Sequence, residues 1–315
     1  MKRAFLYSVI ILLAFGSCNK NTPEWQRINM GFNDNFHDIA PIDKNNVVAY
    51  SYGTGLIVKS GDQGKTWRQV YKTDSIYFEQ IEFPTPYVGY ICGNTNVILK
   101  TEDGGNCWIE IKIDSIPDSA PIYGMKFKDT ETGYLSYLKR TNNGFESKIY
   151  QTTNSGESWK EINSIPEMIL NLELVNSELW ASGNNVVVKN VDKDNWQIVY
   201  DDTTKRVGQI RDFLISDGKL VMSSFNGFII CKEDRTITKQ QITTNRLRSI
   251  ISVEGRKLIT AGDNNKEKGN LFESTDNGKT WRLIDQELND IHRLKFKDGV
   301  IWGIGKNDEV IKMKL

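Results

Sequence analysis

Ser60-Gly61-Asp62-Gln63-Gly64-Lys65-Thr66-Trp67 is the stretch that decides the fold, because it recurs. It returns as Thr101-Glu-Asp103-Gly-Gly105-Asn-Cys107-Trp108, as Thr152-Thr-Asn154-Ser-Gly156-Glu-Ser158-Trp159, and as Ser274-Thr-Asp276-Asn-Gly278-Lys-Thr280-Trp281. Repeats fix architecture before any other reading. Each position has a physical task. Asp or Asn in third place can accept hydrogen bonds from backbone N–H groups further along the turn. The glycine two places on permits a left-handed backbone. The tryptophan opens the next strand and can lie beside the turn, its indole N–H needing one partner.

The tryptophans supply a ruler. Trp25, Trp67, Trp108, Trp159, Trp196 and Trp281 each begin a strand, at intervals of 42, 41, 51, 37 and 85 residues. The last interval spans two repeats, so one repeat has lost its tryptophan, in the stretch 228–242. A period near 40 residues with four short strands per repeat predicts a propeller. An independent count comes from segments that align as innermost strands: Phe36–Ile39, Phe78–Ile81, Ile122–Met125, Ile169–Leu172, Ile210–Phe213, Leu247–Ile250 and Ile291–Leu294. That predicts an all-β, seven-bladed ring. The last repeat ends in a third strand, and Glu24–Ile28 is an outer strand without a blade. Joined, they would close the ring and remove its open edges.

The eight-residue turn resembles the Asp-box of bacterial neuraminidase-type repeats, with Asp62, Gly64 and Trp67, Asp103, Gly105 and Trp108, Asn154, Gly156 and Trp159, and Asp276, Gly278 and Trp281 as its structural residues. The whole of residues 24–315 is similar to Asp-box propellers related to the photosystem II stability and assembly factor. That resemblance implies a scaffold for protein partners. It does not imply a photosynthetic one.

Composition and the N-terminus bound the rest. The chain has 315 residues, 39% of them hydrophobic, and 40 basic against 40 acidic side chains. This balance speaks against a nucleic-acid partner. Lys2 and Arg3 precede an apolar run, Ala4–Phe15, too short for an ordinary membrane span. Phe15-Gly16-Ser17-Cys18 then resembles a bacterial lipobox. We expect a signal peptide over 1–17, acylation of Cys18 and a tether over 18–23. A propeller over 24–315 then follows, held monomeric at the bacterial envelope, outer membrane expected, with the lipid as its only membrane contact. Cys92, Cys107 and Cys231 are expected to be free and mostly buried, with Cys92 and Cys107 two strands apart in one blade, too far to bridge.

Two variable positions lie between the apolar anchors of each inner strand. The first holds His37, Glu79, Tyr123, Leu170, Arg211, Arg248 and His292; the second holds Asp38, Gln80, Gly124, Asn171, Asp212, Ser249 and Arg293. The candidate binding site is therefore a channel mouth with His37, Asp38, Glu79, Tyr123, Arg211, Arg248, His292 and Arg293. Its three arginines could take a carboxylate or an acidic peptide end. Longer loops, at 113–121, 139–147, 201–207 and 263–269, are expected on the same face. No phosphate loop, catalytic triad series or metal-ligand spacing is present, so no cofactor and no metal are expected, and catalytic residues stay unknown. The principal expectation is a non-catalytic binding scaffold for an envelope protein. The alternative is a glycan binder or sialidase-like hydrolase, with Arg211, Arg248 and Arg293 as the arginine triad, Tyr123 as nucleophile and Asp38 or Glu79 as acids. Exposed Trp180 and Trp302 would favour glycan capture, but their apolar strands suggest core.

Overall fold

The computed structural model describes residues 25–315, apart from 143, 193–194, 256, 264–269 and 286–287. The expected signal peptide over 1–17, Cys18, the expected tether and most of the loop expected at 263–269 lie outside the described residues. Seven four-stranded antiparallel sheets follow one another around a ring. Blade 1 begins with the inner strand Phe36–Pro41, blade 2 with Phe78–Glu82, and blade 3 with Ile122–Phe127. Blades 4 and 5 begin with Ile169–Val175 and Ile210–Ser216. Blades 6 and 7 begin with Arg246–Val253 and Ile291–Lys297.

The seam closes as the sequence requires. Gln26–Asn29 pairs antiparallel with Glu309–Lys314, Gln26 opposite Lys312 and Ile28 opposite Val310. Trp25 packs against the apolar cluster between blades 6 and 7. Every blade thus has four strands and no sheet is left short.

The core is a set of inter-blade layers. Faces of neighbouring sheets bury Ile, Val, Leu and aromatic residues against each other, as with Trp302 of blade 7 against Phe36, Ala49 and Val58 of blade 1. The tryptophan opening each outer strand packs backwards onto the preceding blade. Trp108 joins Val48, Tyr50 and Ile57, and Trp159 joins Tyr90, Cys92 and Ile98. Trp180 and Trp302, at 8% and 3% exposure, are core residues as their strands suggest.

The four turns share one hydrogen-bond plan, save that the Trp108 indole N–H of the second has no partner among the described residues. In the first, Gly64 N–H donates to Ser60 Oγ (2.8 Å), and Thr66 N–H donates to Asp62 Oδ1 (2.9 Å). Trp67 Nε1 donates to the Gly64 carbonyl (3.0 Å). The bond into the first hydroxyl recurs at Gly105, Gly156 and Gly278, at 2.9, 3.0 and 2.8 Å. All four glycines sit at φ of +81 to +83°, where a Cβ is strained. At Gly64 a Cβ would also lie 2.9 Å from the Trp302 ring. Donation from the Thr66 and Thr280 hydroxyls, then from their N–H groups, holds the carboxyls of Asp62 and Asp276 at about 2.

Two expectations need correction. Cys107 is exposed, unlike buried Cys92 and half-buried Cys231. It sits in the turn before the outer strand Ile109–Lys112, where its N–H bonds Asp103 and its side chain faces solvent as a Ser or Thr would. Residues 139–147 are no irregular loop. Gly133–Thr141 and Gly144–Thr152 pair along their whole length as an extended hairpin. In blade 5 the lost box is replaced by a tight hairpin, Glu233 opposite Thr236, leading to an outer strand, Thr236–Gln241, exposed along its length.

Candidate functional site

All seven inner strands carry a break in register at the same place. Each skips one residue against its second strand, between Phe36 and Asp38, Phe78 and Gln80, and Ile122 and Gly124. The break recurs between Ile169 and Asn171, Ile210 and Asp212, Leu247 and Ser249, and Ile291 and Arg293. The skipped residues are the first variable column. A bulge of this kind re-aims one side chain and leaves it out of the ladder. Six of the seven, His37, Glu79, Tyr123, Arg211, Arg248 and His292, line one cavity of about 450 Å³ at the channel mouth. Leu170 is buried and absent from the lining. The cavity opens where inner strands begin, on the face opposite the tryptophan turns.

The second column does different work. Three of its side chains tie their blade to the next. Gln80 Oε1 accepts from Met125 N–H (2.8 Å), Asp212 Oδ2 from Ile250 N–H (3.0 Å), and Ser249 Oγ from Leu294 N–H (3.1 Å). Arg293 lies between Asp38 (3.5 Å) and Asp212 (3.9 Å), joining blade 7 to blades 1 and 5 across the channel. Asp38 and Arg293 thus stand apart from the cavity lining, with Asp38 fully buried. The arginine trio of the sialidase-like alternative is not gathered at the mouth.

The mouth instead has a cationic cluster that includes a residue the inner-strand alignment passed over. Arg211, Arg248 and Arg246 surround the Phe225 ring, with guanidinium carbons 4.8, 5.1 and 5.5 Å from its centroid. Each is a cation–π contact. Asp263 accepts from Arg248 Nε and pairs with Arg246 at 3.6 Å. Arg211 makes only one charge-neutral polar contact among the described residues, Nε to Gln209 Oε1 at 3.2 Å. Burial lowers its ionisation to about 10, which leaves it cationic at neutral pH.

Opposite this cluster stands an acid and aromatic side. Glu79 opens to the cavity without a hydrogen-bond or ion-pair partner among the described residues. Burial raises its carboxyl to about 7, against the opposing pull of Arg211, Arg293 and Arg248. Tyr52 stacks on Tyr77 at 6.1 Å, both about half exposed, and His37 packs on Tyr52 at 5.2 Å. His37 and His292 meet across the seam at 5.2 Å. His292 Nδ1 donates to the Phe36 carbonyl at 3.1 Å. Burial, then Arg248, lowers His292 to about 4; burial, then His292, lowers His37 well below its ordinary range. Both rings are therefore neutral at neutral pH. Among the described residues no three His, Cys, Asp or Glu side chains converge as a metal site.

The residues missed by the inner-strand alignment had a signal of their own. Tyr52, Phe225, Asp263 and Lys306 occupy the position that ends or just follows a second strand, and all four line the mouth. Reading the second-strand column one residue further would have gathered them.

Comparison with known proteins agrees with this architecture. Residues 18–298 match the family model described as photosynthesis system II assembly factor YCF48. A solved structure of YCF48 bound to D1 peptide superposes with a TM-score of 0.72 at 19% identity, covering 92% of this chain and 97% of that one. YCF48 from Cyanidioschyzon merolae gives 0.71 at 18%, covering 92% and 98%. Virginiamycin B lyase from Staphylococcus aureus gives 0.70 at 16%, covering 93% and 100%. At such identities the structures show a shared fold and nothing finer. No curated protein matches the chain significantly. The family match spans most of the sequence, and the chain belongs to the photosynthesis system II assembly factor YCF48 family.

Proposed function

We propose that this propeller is a non-catalytic assembly scaffold that grips a protein partner by an acidic group at the channel mouth. The observation that carries this reading is Arg211. It is a mostly buried guanidinium, open to a cavity, with no carboxylate partner among the described residues. A charge left in that state favours an incoming anion, and a carboxylate can take two parallel N–H bonds from a guanidinium. Arg248 and Arg246 stand beside it, while Tyr52 and Tyr77 offer a flat flank for whatever precedes the anionic end. Membership of an assembly-factor family supports a protein ligand, and one similar structure holds a peptide. Acylation at Cys18 would tether the ring to a bacterial envelope membrane, so the partner would be an envelope protein.

The test is capture of the acylated full-length protein from its own envelope beside an Arg211→Ala/Arg248→Ala variant, followed by titration with a peptide from the partner found. A charge-assisted pair contributes about 1.5–3 kcal/mol, so the double variant should lose at least about tenfold in affinity. Partner binding that survives both substitutions unchanged would place the site elsewhere.

A further inference from the structure

The mouth contains one acid whose placement works against its own charge. Glu79 projects from its bulge into the cavity, lacks any hydrogen-bond or ion-pair partner among the described residues, and shares the space with the arginines that would hold an anion. We infer that Glu79 couples anion binding at the mouth to uptake of one proton, so that the ligand's negative charge and a proton enter together. This inference rests on the anion-binding reading above.

The argument is one of elimination among charges. An incoming anion repels ionised Glu79 across a small, poorly solvated space, and neutralising Glu79 removes that repulsion. For a proton to be exchanged near neutrality, some group must titrate there. Arg211, lowered by burial to about 10, stays cationic near neutrality, and Arg248 and Arg246 are engaged with Asp263. The two histidines have been driven down into the acid range by burial and by the arginines, so they stay neutral. Tyr50, Tyr52 and Tyr123 and the Cys92 thiol are pushed upward by burial and by Glu79 itself, so they too stay neutral. Of the remaining carboxylates, Asp263 is held by Arg248 and Arg246, and Asp38 lies against Arg293. Burial raises the Asp212 carboxyl, but Asp212 lies beyond Arg293, outside the cavity lining, and accepts from Ser249 Oγ at 2.9 Å and Ile250 N–H at 3.0 Å. Only Glu79 faces the cavity unpartnered with a titration near 7. The protonated carboxyl can in addition donate a hydrogen bond to a ligand oxygen, which the ionised one cannot.

Sulfate is a suitable probe because it does not titrate between pH 5.5 and 8.5. Calorimetry in buffers of different ionisation heat counts protons taken up per sulfate bound. Close to one proton is expected at pH 8 and close to none at pH 5.5, with wild-type affinity about tenfold weaker at pH 8 than at pH 6. Glu79→Gln should bind sulfate without proton uptake and with that pH dependence gone. Uptake that persists in Glu79→Gln would overturn the inference and point to Asp212 or a histidine. A second measurement needs no ligand: carboxyl-carbon NMR should show Glu79 titrating near neutrality in the free protein, and a value in the ordinary carboxylate range would overturn the coupling outright. Sulfate binding equal in wild type and Arg211→Ala/Arg248→Ala would instead defeat the anion-binding reading of the mouth, with the Glu79 titration unaffected.

Discussion

On one face of the ring, four turns carry nearly the same eight residues and the same hydrogen bonds. On the other, seven bulges occupy one strand position and carry His, Glu, Tyr, Leu, Arg, Arg and His. The first face repeats residues, and the second repeats a geometry while changing the residue in it. A turn that must satisfy its own backbone has few chemical solutions, so its sequence repeats. A bulge asks only that one side chain leave the ladder, so its occupant is free to be chosen for something else. The mouth is therefore where side chains are free to vary, and the tryptophan turns are where the ring is held.

That contrast can be broken most severely at the belt beneath the mouth. Arg293→Ala should destabilise the fold by about 3–5 kcal/mol, because it strands Asp38 and Asp212 in the channel without their cation. Denaturant melts would show it, and a loss under about 1 kcal/mol would mean that water enters to solvate both acids. The next largest effect belongs to the turns. Gly64→Ala should cost about 1–3 kcal/mol, since it combines a left-handed backbone with a Cβ pressed on Trp302. Gly218→Ala is the control. Its φ is also positive, but no neighbour lies within 4 Å of the new carbon, so it should cost less.

The mouth should behave in the opposite way. Arg211→Ala/Arg248→Ala should change melting temperature far less than Arg293→Ala while removing at least about tenfold in anion affinity, because among the described residues neither guanidinium pairs with a carboxylate of another blade, and the contact across blades is Arg248 on the Phe225 ring. A large thermal loss would make the cluster structural. The smallest effects are in pH dependence. Glu79 titrates higher folded than unfolded, so its ionisation weakens the fold as pH rises through the interval from 4.5 to about 7. Glu79→Gln should melt slightly higher than wild type at pH 8 and alike at pH 4. Asp62 and Asp276 have the opposite sign. Their folded values near 2 lie below the unfolded 3.8, so their contribution is present above pH 4 and fades as pH falls towards 2. Asp62→Asn should flatten that acid arm while keeping the turn, as Asn154 does naturally at the third box.

Much of the ring was legible in the chain because its signals are local. The tryptophan intervals, the seven inner segments and the orphan strand at 25–28 each follow from a short stretch read alone, and all three recur in the strand pairing. The mouth was legible by half. Aligning inner strands found His37, Glu79, Tyr123, Arg211, Arg248 and His292, which meet in one cavity. The same alignment could not tell that the adjacent column faces the next blade, which put Asp38 and Arg293 beside them on paper but in the inter-blade belt in space. Arg246 and Phe225 escaped because they sit at strand ends, outside the window that was aligned.

By itself the sequence determined the number of blades, the identity of the box residues, the closing strand and the candidate arginines, since each depends on periodicity or on a turn that satisfies itself within eight residues. The tertiary structure alone decided which side of each inner strand meets the channel and which carboxylates meet which guanidiniums. It also decided that Glu79 faces the cavity with its charge unmatched. Those outcomes turn on a one-residue bulge and on contacts between blades far apart in the chain, such as His292 to Phe36 across 256 residues, which no local pattern encodes.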